Sequence, residues 1–139
     1  MYTFLMKGAV YMKTLFERFD SGRFVSPYAE KDFSALKWND HPVFEGVALK
    51  HLLTSQDTDG EFSYHLVRIA PNKSIGTHTH ETQTETHEVI CGSGLCINEG
   101  LEIPYSCGTV TILKKATPHS VTAGDEGLYL FAKFIPPLC

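Results

Sequence analysis

The sequence lacks any run approaching the roughly 18 consecutive apolar residues that a membrane-spanning helix requires. It also lacks a long basic run, and its net charge of −4 at neutral pH gives no positive field for nucleic acid. Cysteine is sparse: Cys91, Cys96, Cys107 and Cys139 form no Cys-x-x-Cys pair. The apolar N-terminal run is broken by Lys7, has no basic segment before it and is followed by no convincing small-x-small cleavage site. These absences predict a cytoplasmic protein with reduced thiols used mostly in packing. Met12-Lys-Thr-Leu-Phe offers a second reading of the start, in which the first eleven residues are a loose tail. Internal repeats and low-complexity tracts are missing as well.

What remains is one domain of 139 residues, 42% hydrophobic and 20% charged, a globular composition. Residues 1–45 read as an N-terminal arm that packs on the rest of the fold or on a partner subunit. Within it Leu15, Phe16 and Phe19 share one face of a short helix, and Trp38-Asn-Asp-His-Pro42 is a turn. From Gly46 the period changes to two, with Val47, Leu49, His51 and Leu53 alternating against Ala48, Lys50 and Leu52. Further strands are expected over 62–70, 78–80, 84–91, 94–98, 109–113, 120–122 and 128–134. About eight short strands at this spacing predict an all-β barrel or sandwich over 46–139.

His78, His80, Glu85 and His119 carry the chemistry. Side chains two apart on a strand share a face, so His78 and His80 lean together over roughly 6.6 Å of rise. Three imidazoles and one carboxylate suit a divalent transition metal: Fe, Mn, Ni, Co or Zn. Strand parity from Glu85 puts His87 and Val89 on its face and turns Glu88 away, with Glu88 the substitute ligand if the strand carries a bulge. Glu81 falls in the connecting turn. His87 is an interior histidine filling space, or else a fifth ligand or the catalytic acid/base beside the metal. His65 and Arg68 lie on opposite faces of one strand, so one of them enters the barrel, and Tyr64 shares parity with Arg68. His41 and His51 have no partner in sequence and are expected at the surface or an edge.

These residues resemble the first motif of the cupin superfamily: His78-Thr-His80, four residues, Glu85, six residues, Gly92. The second motif is matched by Gly108 and His119 at a separation of eleven. Asn72 replaces the leading glycine of the first motif, and Lys114, Ala116 and Ala123 replace residues of the second. The resemblance covers roughly residues 46–136. It implies a double-stranded β-helix, or jelly roll, with a metal inside the barrel, and it leaves the reaction open because cupins serve many.

Two functions follow as expectations. One is a metal-dependent enzyme acting on a small polar metabolite by dioxygenation, isomerisation or decarboxylation; the other is a non-catalytic sensor or binder of a small ligand or metal. Converging polar residues in the pocket would favour the enzyme. The apolar C-terminal segment and aromatic arm predict a homodimer.

Overall fold

The computed structural model describes residues 14–139; the questions of a leader sequence, of the start at Met12 and of a loose tail lie outside the described residues. A helix over 14–20 opens the described chain. Ten strands follow: β1 (Arg23–Val25), β2 (Glu30–Asp32), β3 (Asn39–Asp40), β4 (Val47–Leu53), β5 (Ser63–Ile69), β6 (Ser74–His78), β7 (Thr84–Asn98), β8 (Leu101–Tyr105), β9 (Val110–Leu113) and β10 (His119–Ile135), with a 3-10 turn at Phe33–Ala35. Strands β1 and β2 form a separate hairpin, and the other eight make one sheet.

Two long strands organise that sheet. In β7, Glu85–Glu88 pair with β9, whereas Gly94–Asn98 pair with β8. In β10, His119–Thr122 run beside β6, whereas Leu128–Phe134 run beside β5. The two strands pair with each other from end to end, with register shifts between Ala123 and Leu128 and between Tyr129 and Leu130. Each therefore changes its outer neighbour halfway, and one continuous ladder bends into the two facing sheets of a jelly roll.

The bend explains why these segments read as separate strands in sequence. At the corner Gly92 has φ +83°, and a Cβ there would collide with the carbonyl of Gly127 on the neighbouring strand. Only glycine fits both demands.

Alternation sorts the side chains into two cores. Val67, Ile69, Val89, Leu128, Leu130, Ala132 and Phe134 face the barrel interior. Leu52, Leu66, Ile90 and Phe131 face the other way, where Phe16 of the helix and Phe33 of the 3-10 turn cover them. Both sides of β5 are thus buried, which replaces strict alternation with a nearly continuous buried run. The arm is also pinned by Lys50, only 3% exposed, whose Nζ donates to the carbonyls of Asp20 (2.9 Å) and Phe33 (2.8 Å) and pairs with the Asp20 carboxylate. The Trp38 indole N–H donates to the same carboxylate at 3.0 Å, and the Arg68 guanidinium lies 4.2 Å from the Trp38 ring centroid. Instead of forming only a turn, Asn39 and Asp40 extend the sheet by pairing with Leu49 and Ala48.

Candidate metal centre

The fold brings four side chains to one point inside the barrel. His78 ends β6, His80 follows it, Glu85 is the second residue of β7 and His119 opens β10 directly opposite His78. One ligand-type atom from each lies within 4.8 Å of all the others. The His78 ring centroid stands 4.9 Å from that of His80 and 4.3 Å from that of His119. Glu85 Oε1 is 3.3 Å from His80 Nε2 and 3.6 Å from His119 Nε2.

The surroundings leave the right atoms bare. His78 Nδ1–H donates to the Gly76 carbonyl at 2.7 Å and His119 Nδ1–H to the Thr117 carbonyl at 3.2 Å. A ring that donates through Nδ1 presents an Nε2 lone pair, the tautomer a metal ligand needs. His119 Nε2 is buried and has no hydrogen-bond partner among the described residues. An unpaired buried nitrogen costs about 1–3 kcal/mol, so an atom left this way calls for a reason. An ion in the cluster would supply that reason, and the donor set fits one.

Glu85 is buried and yet stays charged. Burial alone would raise its carboxyl, but the neighbouring imidazoles, His87 first and then His119 and His80, outweigh it and hold the group well below the ordinary carboxylate range. His87 lies behind the carboxylate. Its Nε2–H donates to Glu85 Oε2 at 2.7 Å, and its Nδ1 accepts from the Tyr105 hydroxyl at 2.8 Å. Both ring nitrogens are thereby engaged.

Parity sorts the remaining acids as the strand pattern predicts. Glu88 faces the side of the sheet where Tyr64 and Phe131 lie, and Glu81 accepts from the Thr79 hydroxyl in an exposed turn. Of the pair on β5, His65 enters the barrel and is fully buried, whereas Arg68 is exposed and joins Trp38. Tyr64 follows Arg68 outward and stacks on Phe131 at 5.0 Å.

A cavity of about 280 Å³ adjoins the cluster, with walls that include Leu49, Val67, Ile75, Val121 and Phe134. Asn39, Asp40, His41 and His51 add polar groups to its lining. His41 and His51, expected at the surface or an edge, instead line this cavity half-buried and have partners in the fold. His41 Nδ1 accepts from the backbone N–H groups of Val43 and Phe44, both at 3.1 Å, and His51 Nδ1 faces His65 Nδ1 at 2.8 Å. Burial, then the neighbouring His51, lowers the His65 imidazole to about 4, although Glu85 pulls the other way. Parity along β4 already placed His51 with Val47 and Leu49, which was the signal available for it.

A bent double sheet with an interior His/His/Glu/His cluster defines the class: the chain has the cupin fold. No family model matches the sequence. An oxalate-binding protein of Thermotoga maritima is 25% identical over 91 residues, which span 64% of this chain and 75% of that one. The crystal structure of a predicted oxalate decarboxylase from Thermotoga maritima superposes with a TM-score of 0.66 at 23% identity, covering 73% of this chain and 91% of that one. An RmlC-like cupin from Shewanella frigidimarina gives a TM-score of 0.65 at 14% identity, covering 76% and 88%.

Proposed function

We propose that His78, His80, Glu85 and His119 hold one divalent transition-metal ion, and that the protein is an enzyme using it on a small carboxylic acid or a similarly polar metabolite. The observation that carries the reading is the bare, buried His119 Nε2, aimed with three other ligand-type atoms into one small space. When bound, such an ion supplies Lewis acidity or a redox centre at positions the four protein ligands leave open. Dioxygenation, isomerisation and decarboxylation are the reaction classes compatible with that.

The cavity wall narrows the substrate. Its volume lies just below the roughly 300–1,000 Å³ of ordinary ligand pockets. Among the described residues no lysine or arginine lines it, and burial lowers the pKa of His41, His51 and His78. An anionic substrate therefore finds its positive charge only at the ion, while Asn39 and His41 offer polar contacts around it. Oxalate, the ligand named for the relative, is the first acid to try.

We assign His87 to holding Glu85 in place, because both of its nitrogens are used within the protein. A role as acid/base is the alternative, and it requires one of those bonds to open. The non-catalytic reading, a binder of a small acid, draws support from the mainly apolar wall and from the relative's name. Metal analysis of protein purified without chelator, followed by oxygen-consumption and carbon-dioxide-release assays across small acids, thiols and phenols, separates the two. Tight binding of oxalate without turnover would favour the binder, and metal-free protein would sink both.

We also propose a cytoplasmic homodimer. No disulfide forms among the described residues, which suits a reducing compartment. The exposed apolar side chains a second copy could cover include Leu95 and Ile97 on β7, Val110 and Ile112 on β9, and Ile135 and Leu138 near the end of the chain. A clean monomer in sedimentation at micromolar concentration would exclude this assembly.

A further inference from the structure

A second group of ligand-type side chains lies outside the four-residue cluster. A ring nitrogen of His51, one of His65 and the sulfur of Cys139 all lie within 4.8 Å of one another. They come from β4, from β5 and from the segment 136–139. That segment is held down by backbone bonds: Gln83 Nε2 donates to the Pro137 carbonyl (2.9 Å), Leu138 N–H to Ser63 Oγ (2.8 Å) and Ser55 N–H to the Cys139 carbonyl (2.7 Å). The thiol is thus delivered to the two rings by an anchored stretch of chain.

The hydrogen bonds around the pair fit a bound ion. The two Nδ1 atoms stand 2.8 Å apart, so without an ion one ring must donate and the other accept. His65 Nε2 lies 2.8 Å from Ser63 Oγ, which already accepts the Leu138 N–H. An oxygen has two lone pairs, so it can accept from His65 Nε2–H as well. That arrangement leaves His65 Nδ1 bare and facing His51, with its ring fixed from behind as metal-binding histidines usually are.

We propose that His51, His65 and Cys139 form a second metal site, for a sulfur-seeking ion of the zinc class, with a fourth position open to water. Thiolate with imidazole selects zinc over the harder ions that carboxylates favour. Two nitrogens in a tetrahedral zinc site stand about 3.3 Å apart, so the rings need to part by only about half an ångström. Phe134 contacts both clusters, with its ring centroid 5.5 Å from His65 and 5.2 Å from His80. An ion here would clasp segment 136–139 to the sheet. Leu138, in that segment, lines the cavity, so the clasp would also fix part of the cavity wall.

Cobalt(II) tests this without reference to activity. A cysteine thiolate bound to cobalt gives an intense near-ultraviolet charge-transfer band, which a site of three histidines and a glutamate cannot produce. Reduced full-length protein titrated without oxygen should bind two cobalt ions per chain and show the band. Cys139→Ser, a change at an exposed position, should lose the band and one ion, and His51→Ala should do the same. His80→Ala should lose the other ion and keep the band, so failure of one site is distinguishable from failure of the other. No band at saturating cobalt, or a band that survives Cys139→Ser or His51→Ala, would overturn the proposal.

Discussion

The two histidine clusters meet at Phe134 but are stabilised by opposite means. The first is built around a buried carboxylate, Glu85, whose charge is kept by the imidazoles and their hydrogen bonds. The second contains no acid: His51 and His65 face one another, and burial keeps both from taking a proton. A buried anion surrounded by rings that can be neutral is poorly compensated, whereas two neutral rings sharing one proton are self-sufficient. The first arrangement therefore leaves an unpaired nitrogen that invites a cation, and the second stands on hydrogen bonds with or without one. On the proposed reading, a metal site shows itself in what its ligands lack, and not only in their proximity.

Breaking the first cluster should produce the largest effect. His119→Ala or His80→Ala removes one of the four proposed ligands and is expected to lower metal affinity by at least a hundredfold, leaving β-sheet circular dichroism intact. Metal content after gel filtration checks this, and unchanged stoichiometry would take that histidine out of the site. Because no lysine or arginine among the described residues lines the cavity, oxalate binding measured by calorimetry should vanish along with the metal.

Acid should expose the second cluster. The His65 imidazole titrates near 6.5 in an unfolded chain and at about 4 in the fold, so the unfolded chain binds more protons between those values. The resulting stabilisation is fully present above about pH 6.5 and is lost as pH falls toward 4, by about 3 kcal/mol in all. In metal-free protein His65→Leu should flatten the urea-unfolding free energy across that window relative to the parent chain. Equal slopes would mean that His65 is not the group responsible.

His87 supports the first cluster from behind, so its loss should cost less than the loss of a ligand. His87→Phe frees Glu85 Oε2 and is expected to weaken metal binding by about 10–100-fold, the usual range for a residue that orients a ligand. The acid/base reading makes a different forecast: metal affinity holds while turnover drops by about 10²–10⁴. Competition with a coloured chelator, run beside the activity assay, tells the two apart.

The contrast between the clusters also decides what sequence could reveal. His78, His80 and Glu85 fall within eight residues, where period two gives the two histidines one face, and Glu85 and His119 complete a spaced motif. His51, His65 and Cys139 are brought together only by the pairing of β4 with β5 and by the anchoring of segment 136–139. No local period encodes that, and Cys139 read as packing. Parity did place His65 and Arg68 on opposite faces, but choosing the inner one required knowing that Val67 and Ile69 face the core. Lys50 alternated as an outward residue, and its burial depends on an arm whose docking leaves no periodic trace. Strand β8 escaped notice because Leu101–Tyr105 contains Glu102 and Pro104, a poor strand signature that a position beside β7 overrides.

The smallest effect expected lies one step further from the ion, at Tyr105. Its hydroxyl donates to His87 Nδ1 at 2.8 Å in a buried position, completing a chain from Tyr105 through His87 to Glu85. Tyr105→Phe keeps the ring that fills the core and removes only the hydroxyl, leaving His87 Nδ1 without its partner. An unmade buried hydrogen bond costs about 1–3 kcal/mol, so the melting temperature should fall by several degrees. Glu85 keeps its direct bond from His87 Nε2–H, and metal affinity should therefore drop less than tenfold, below the loss expected for His87→Phe. If the two variants weaken metal binding equally, the imidazole is held in register by the tyrosine and not by packing. If Tyr105→Phe leaves affinity untouched while stability falls, the chain ends at His87, and Tyr105 belongs to the core alone.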